Sequence, residues 1–413
     1  MRNWPIFALR DVAEIAAGIT LGRKTNEKEL IDVPYMRVAN VKDGVLDFSE
    51  MKTVAATARE IEKWKLRDGD LLLTEGGDLD KLGRGACWRN QLPLCIHQNH
   101  IFRVRLPADR YDADFVSYQV GSNYGKAYFL AHAKKTTGIA SINQGVLGSF
   151  PLLTPSLAKQ RQIAARLKAQ LAEVESARQA VQAQGKESEA LHAAIYREAF
   201  AQVIPVSVPP DFDDPPSGWR WRSLTEIARL ESGHTPSRSR PDWWGGEISW
   251  LSLTEIRAND GRWVQQTQLR TNAEGIANSS ARILPRGTVC FSRTASVGFV
   301  SIMGAPMATS QDFANWVCGD DLDPEFLMHA LIRSRKELRE IATGATHKTI
   351  YMPQLESFHL CVPDISEQRR IVARLTAQLG ESEAITEATR LQMADIERLP
   401  QQLLARAFGQ DGD

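Results

Sequence analysis

SLAKQRQIAARLKAQLAEVESARQAVQAQGKESEALHAAIYREAF, residues 156–200, and DISEQRRIVARLTAQLGESEAITEATRLQMADIERLPQQLLARAF, residues 364–408, align with each other without a gap. The alignment matches Gln160 with Gln368, Arg161 with Arg369, Ile163 with Ile371, Leu167 with Leu375, Leu171 with Leu379 and Phe200 with Phe408. In each copy the apolar residues fall three, four or seven apart, which predicts a helix. Ile163, Leu167, Leu171, Val174, Val181, Leu191 and Ile195 form the stripe of the first, and Ile371, Leu375, Leu379, Ile385, Ile396, Leu399 and Leu403 that of the second. A helix of about 40 residues is about 60 Å long at 1.5 Å per residue, more than a small globular domain can cover. The stripe is narrow and broken by Gln170, Gln184 and Ser188, which suits a two-helix seam better than a core buried all round. The simplest partner for each helix is its twin, packed antiparallel as a coiled coil, with a globular head at either end.

Working outward, residues 1–154 and 205–362 form two copies of a globular unit, and residues 155–204 and 363–413 the two long helices. The heads share an order of landmarks. Leu9, Asp11, Val12 and Gly18 correspond to Leu224, Glu226, Ile227 and Gly233. Asp-Gly turns follow at Asp43-Gly44 and Asp260-Gly261. Leu71-Leu72-Leu73-Thr74 and Val289-Cys290-Phe291-Ser292 are buried strands that end in a hydroxyl and lead into glycine-bearing loops. Strands first and helices later imply an α+β fold for each head. The proline-rich stretch 205–216 joins the first helix to the second head. The helices agree better than the heads, which marks the helices as a shared scaffold and the heads as readers of different targets.

Lys+Arg and Asp+Glu both number 50 in the 413 residues, so the net charge of zero excludes a uniformly basic binder but not a local basic cleft. No apolar run approaches a membrane span and the N-terminus lacks a secretory apolar core, so a cytoplasmic protein is expected. The five cysteines are scattered without a C-x-x-C pair, which points to neither a zinc site nor a disulfide framework. His97-x-x-His100 has no further ligand at metal spacing and is expected to be two ordinary strand histidines. A P-loop is absent. Asp214-Pro215-Pro216-Ser217 ends in serine, unlike a methyltransferase motif, so no catalytic residue and no metal is assigned.

The chain resembles the specificity subunit of a type I restriction-modification enzyme over essentially its whole length. The resemblance rests on the tandem plan, the helix starts Pro155-x4-Gln160-x2-Ile163 and Pro363-x4-Gln368-x2-Ile371, Asp68-Gly69-Asp70-Leu71-Leu72, Gln311-Asp312-Phe313, and Gly218-Trp219-x-Trp221. It implies two target-recognition domains that each read half of a split, asymmetric site on double-stranded DNA, with the helices as spacer. It also implies docking of two methyltransferase (M) subunits and of restriction (R) subunits. Those partners, and not this chain, would bind S-adenosylmethionine, ATP and Mg, in a system of DNA methylation and phage defence. Pro400 and Gly185 depart from an unbroken rod and are expected to kink it.

Candidate DNA contacts lie in loops that differ between the heads, where Arg, Lys, Asn and hydroxyl groups can meet phosphates and base edges. They are Arg23 and Lys24; Lys134, Lys135, Thr136, Ser141 and Asn143; Arg293, Thr294 and Ser296; and His347, Lys348, Thr349 and Tyr351. Partner docking and the coiled coil are assigned to Gln160, Arg161, Ile163, Leu167, Leu171, Gln368, Arg369, Ile371, Leu375 and Leu379. The alternative reading is a structural adaptor that assembles protein partners through its helices without DNA specificity.

Overall fold

The computed structural model describes residues 4–23, 29–77, 82–136, 139–209, 212, 214–344 and 348–409. The two repeated segments are helices, Leu157–Ala199 and Ile365–Phe408. The chain divides into two compact units, Met1–Ala183 with Arg390–Asp413, and Gln184–Thr389. Each unit therefore holds one head together with part of both long helices.

In the first unit the head is built on an antiparallel sheet of Glu14–Ala17, Ile101–Arg105, Leu71–Thr74 and Gly85–Cys87, in that spatial order. Leu71, Leu72 and Leu73 are buried on both faces of the sheet, as the unbroken apolar run predicts. A second sheet joins Lys52–Ala56, Ile31–Met36 and Ile96–His97, the last pair parallel. Helices Ala113–Gly121 and Asn123–His132 cover the core around Phe115, Phe129 and Phe150.

The second unit repeats the plan. Val289–Ser292 lies centrally in a sheet of Ala228–Ser232, Phe313–Cys318, Val289–Ser292, Val300–Met303 and Arg262–Val264. Pro324–Arg333 and Arg335–Glu340 are the covering helices. The matched glycines have a shared steric reason. A Cβ on Gly18 would lie 1.8 Å from the His97 carbonyl oxygen, and one on Gly233 would lie 2.3 Å from that of Ser310. Only glycine admits so close a backbone approach.

One difference corrects the reading of 205–216 as a plain linker. Val206–Ser207 is a strand against His359–Val362, completing a three-stranded sheet with Arg220–Ser223. In the first unit Ile6–Ala8 and Pro151–Leu153 form only a pair among the described residues. There Gln119 stands in for the missing strand: Leu153 N–H donates to its Oε1 at 2.8 Å, and its Nε2 donates to the Leu153 carbonyl at 3.1 Å.

The helices pack antiparallel within each unit. In the first, Ile163, Ala164 and Leu167 share a core with Leu404, Ala407 and Phe408. In the second, Ile195, Tyr196 and Phe200 share one with Ile371, Leu375 and Leu379. Ser188, which breaks the apolar stripe, is buried and its hydroxyl bonds that of Thr386 at 2.8 Å. Leu191, Ile385 and Leu399, expected in the stripe, are instead exposed at 46%, 42% and 37%. The 3.6-residue period drifts off a straight seam over so many turns. The second helix runs unbroken through Pro400 and the first through Gly185.

Gln160 and Gln368 are also placed differently from a partner-facing surface, being 1% and 0% exposed. The Asp112 N–H donates to Gln160 Oε1 at 3.0 Å, while Nε2 donates to the Pro155 carbonyl at 2.8 Å and to that of Arg110 at 3.3 Å. The Asp323 N–H meets Gln368 Oε1 at 2.9 Å, and its Nε2 meets the carbonyls of Asp321 and Pro363 at 2.9 and 3.0 Å. Asp112 and Asp323 are the N-caps of the covering helices. A buried glutamine thus ties each long helix to its head.

His97 is fully buried, with Nδ1 at 3.2 Å from the Trp64 carbonyl and Nε2 at 3.4 Å from that of Ala16. Burial pulls its pKa down to about 4, as it does that of His329 in the second unit.

Two outcomes follow. Gln368→Leu strands the Asp323 N–H and two carbonyls, so urea unfolding should show a loss of roughly 2–5 kcal/mol. The folded-state pKa of His97 and His329 lies below the unfolded value of 6.5, so their stability contribution is full above pH 6.5 and declines as pH falls toward 4. Melting scans across that window should show a fall of up to about 1.4 kcal/mol per pH unit per histidine.

Candidate nucleic-acid interface

In the second unit the buried strand Val289–Ser292 delivers its next residue, Arg293, to a junction of two loops. The Arg293 N–H donates to the Asp312 carbonyl and the Ile350 N–H donates to the Arg293 carbonyl, both at 2.9 Å. Thr294 bridges to Thr349, and the Ala295 N–H donates to the Lys348 carbonyl at 3.2 Å. The Ser292 hydroxyl closes the first loop, donating to the Ser296 carbonyl and accepting from the Phe299 N–H at 2.9 Å. Two candidate clusters far apart in sequence, 293–296 and 348–351, are thereby brought side by side, with Lys348 exposed and Thr349 buried beneath the junction. Tyr351 is 54% exposed there. His347 and Lys24 lie outside the described residues.

Cations gather around this junction. Arg257 donates from Nη2 to Ser296 Oγ, and Arg339 donates from Nε to the Val297 carbonyl at 2.8 Å. Arg335 and Arg339 both stack 5.7 Å from the centre of the Phe299 ring. Burial lowers the pKa of Arg293 and Arg339, so their charge is held at a desolvation cost. Of Arg257, Arg293, Arg335, Arg339 and Lys348, only Arg335 has a carboxylate within ion-pair distance among the described residues, Asp260 at 2.7 Å. A surplus of positive charge around one polar loop suits a polyanion.

The first unit builds the same junction from other side chains. The Glu75 N–H donates to the His100 carbonyl at 3.0 Å, and the Ile142 N–H donates to the Glu75 carbonyl at 2.8 Å. Gly76 and Gly77 pair with Ser141 and Ala140, and Lys134–Thr136 pairs with Ile139–Ser141 in a hairpin. Lys134 and Lys135 are exposed on that hairpin. Asn143 has a local structural task, since its side chain accepts the Val146 N–H at 2.8 Å as a helix N-cap.

Arg23 sits apart from the junction and is committed internally. Its Nε and Nη2 bond Glu60 at 2.6 and 2.5 Å. The Arg23 hydrogen bond holds the Glu60 carboxyl at a pKa of about 2. Arg238, five residues past Gly233 as Arg23 is past Gly18, is instead stacked 4.2 Å over Trp244 and 5.2 Å from Trp250. It has no acidic partner among the described residues, and its N–H edges remain open. The shared offset from the two glycines was the signal that could have found it. Arg257, Arg335 and Arg339 carried no such signal, because only the fold gathers them.

Along the long helices Ile163, Leu167, Ile371, Leu375 and Leu379 are buried in the seam and Leu171 is half-buried. Arg161 and Arg369 are exposed. Leu391, at 53%, joins Leu191, Ile385 and Leu399 as apolar helix surface left open. Among the described residues no group of His, Cys, Asp and Glu could hold a metal, and no helix is long and apolar enough to cross a membrane.

A family model described as type I restriction modification DNA specificity domain matches residues 1–182 and 216–393. The type I restriction enzyme MjaIX specificity subunit of Methanocaldococcus jannaschii is 25% identical over 164 residues, covering 39% of this chain and 38% of that one. The putative MjaX specificity subunit of the same organism is 20% identical over 379 residues, 91% of this chain and 86% of that one. Two solved structures share the fold. One, described for complex assembly and conformational transition of the type I R-M system, has a TM-score of 0.78 at 19% identity, covering 100% of this chain and 99% of that one. The HsdS subunit from Thermoanaerobacter tengcongensis has a TM-score of 0.62 at 19% identity, covering 100% and 98%.

Gly298, at φ +101°, carries the junction past Arg335, whose Cγ would lie 2.9 Å from an added Cβ. Gly298→Ala should therefore loosen the arginine cluster at a cost of about 1–2 kcal/mol. Faster hydrogen exchange confined to residues 293–299 would register it.

Proposed function

The chain belongs to the type I restriction modification DNA specificity family, and on that premise we propose that it is the DNA sequence-recognition subunit of a type I restriction-modification system. One observation carries the reading. Two heads present the same main-chain junction, held by matching hydrogen bonds, with different side chains upon it. A frame shared by the two heads, with exchanged surface chemistry, suits two readers of unlike half-sites.

On this reading residues 1–154 and 205–362 are the two target-recognition domains. Lys134, Lys135, Thr136 and Ser141 serve the first half-site; Arg293, Thr294, Ser296, His347, Lys348, Thr349 and Tyr351 serve the second. Lys134, Lys135, Lys348 and the surrounding arginines contribute phosphate contacts, which fix register, and the junction residues, Arg293 among them, face base edges, which carry sequence information. Arg23, Lys24 and Asn143 have a lesser claim, since the first and last already have internal partners.

Residues 155–204 and 363–413 serve as spacer and as the docking surface for two M subunits. The open leucines and the exposed Arg161 and Arg369 supply mixed apolar and charged contact of the kind such docking uses. The chain itself is non-catalytic and works in the cytoplasm. Adenine methylation with S-adenosylmethionine, and restriction with ATP and Mg, belong to the M and R partners. Half-sites addressed by the two heads would lie about one helical turn, roughly 34 Å, apart and would differ in sequence.

Replacing residues 1–154 with the corresponding head of another family member should alter one half of the methylated sequence and leave the other intact, as read by mapping modified adenines. A change in both halves would overturn the modular reading. Association of the assembled complex with DNA should weaken steeply with salt, because neutralised phosphates release counterions; salt-independent association would favour the adaptor.

A further inference from the structure

The two junctions differ most sharply at one position. Glu75 and Arg293 each follow the central buried strand, each donates its N–H to the carbonyl of the residue before the neighbouring strand of the sheet, Ile101–Arg105 or Phe313–Cys318, and each accepts from the N–H of an isoleucine, Ile142 or Ile350. They occupy the same place in the two frames and carry opposite charge. Their neighbours are exchanged as well, since the accepting carbonyl belongs to His100 in one unit and to Asp312 in the other.

The side chains are left incomplete in complementary ways. Glu75 holds His100 Nδ1 at 2.6 Å, yet about a third of its side chain stays accessible. A carboxylate there can accept further hydrogen bonds and donates none. Arg293 is half-buried, with Nη1 3.3 Å from the Ile350 carbonyl and Nε buried without an acceptor among the described residues. No carboxylate lies within ion-pair distance of it among the described residues. Asp312 acts on this charge from beyond ion-pair distance, and a partly desolvated guanidinium gains further from an acceptor supplied from outside the chain.

We propose that this single position is the base selector of each head, so that Arg293 takes a guanine and Glu75 a cytosine, and the two half-sites present G·C pairs in opposite orientation to equivalent points of the two units. The proposal rests on the DNA-reading function above. Guanine offers the O6 and N7 acceptors that a guanidinium fork spans, whereas cytosine offers the N4 amino donor that a carboxylate accepts. Both contacts lie in the major groove. The main-chain bonds on either side of the selector fix its backbone, so that exchanging the side chain changes the base without moving the loop.

The test uses the full chain assembled with its methyltransferase subunits, and reads enrichment from a randomised duplex library together with adenine modification. The wild type should enrich a two-part sequence with one such G·C pair in each half. Arg293→Gln should lose about 10- to 100-fold discrimination at one pair of one half, with the other half unchanged. Glu75→Gln should do the same in the opposite half. Arg293→Lys keeps the charge but not the fork, so it should retain affinity while losing discrimination at that pair. Melting curves identify any variant that fails to fold, and the lysine variant then decides.

Unaltered preference at every position, or equal weakening on all sequences with a reduced salt slope, would overturn the selector, the latter marking a phosphate contact. If the wild-type assembly enriches no sequence at all, it is the DNA-reading function that fails.

Discussion

The buried glutamine that begins each long helix is the contact on which the rest of the architecture depends. Its amide accepts from the N-cap residue of a head helix and donates to two carbonyls, all inside the protein. A long helix joined to a domain only by chain continuity could swing about its first residue. Three hydrogen bonds in a dry site remove that freedom, because breaking any of them strands a polar group where water cannot replace the partner. The heads and helices therefore behave as continuous pieces of structure.

Given that anchoring, each head needs only a rigid sheet to carry its variable loops. The central strand is buried on both faces, so its end is held by packing on either side, and the loop junction starts there. Main-chain bonds hold the junction whichever side chains it carries. This separates stability from surface chemistry: the frame remains while Glu75 in one head gives way to Arg293 in the other. It also explains how a chain with no net charge can present a cationic surface, because Arg257, Arg293, Arg339 and Lys348 are gathered at one loop where, among the described residues, only Arg335 is ion-paired, to Asp260, while other carboxylates are spent elsewhere, as Glu60 is on Arg23.

Fold elements set by local pattern were legible beforehand. The two helices follow from a 3.6-residue period, the central strands from short apolar runs closed by Thr74 and Ser292, and the turns from Asp-Gly pairs. The helix seam was legible at Ile163, Leu167, Ile371, Leu375 and Leu379 but not at Leu191, Ile385 and Leu399, because an apolar residue on a long helix is buried only where a partner faces it. The strand role of Val206–Ser207 escaped the reading since prolines surround it and its pairing partner lies some 150 residues away. Gln160 and Gln368 are matched in the repeat, yet the sequence carries no sign of their burial, a glutamine being ordinary on a helix surface.

By itself the sequence determined the duplication, the α+β heads, the paired helices and the family, since each is written in period, order or repetition along the chain. Only the tertiary structure decided which charges are free. Arg23 and Arg238 stand at equivalent places, but one is bound to Glu60 and the other lies on Trp244. The physical reason is that a charge acts according to what lies within a few ångströms of it, and those neighbours come from distant parts of the chain.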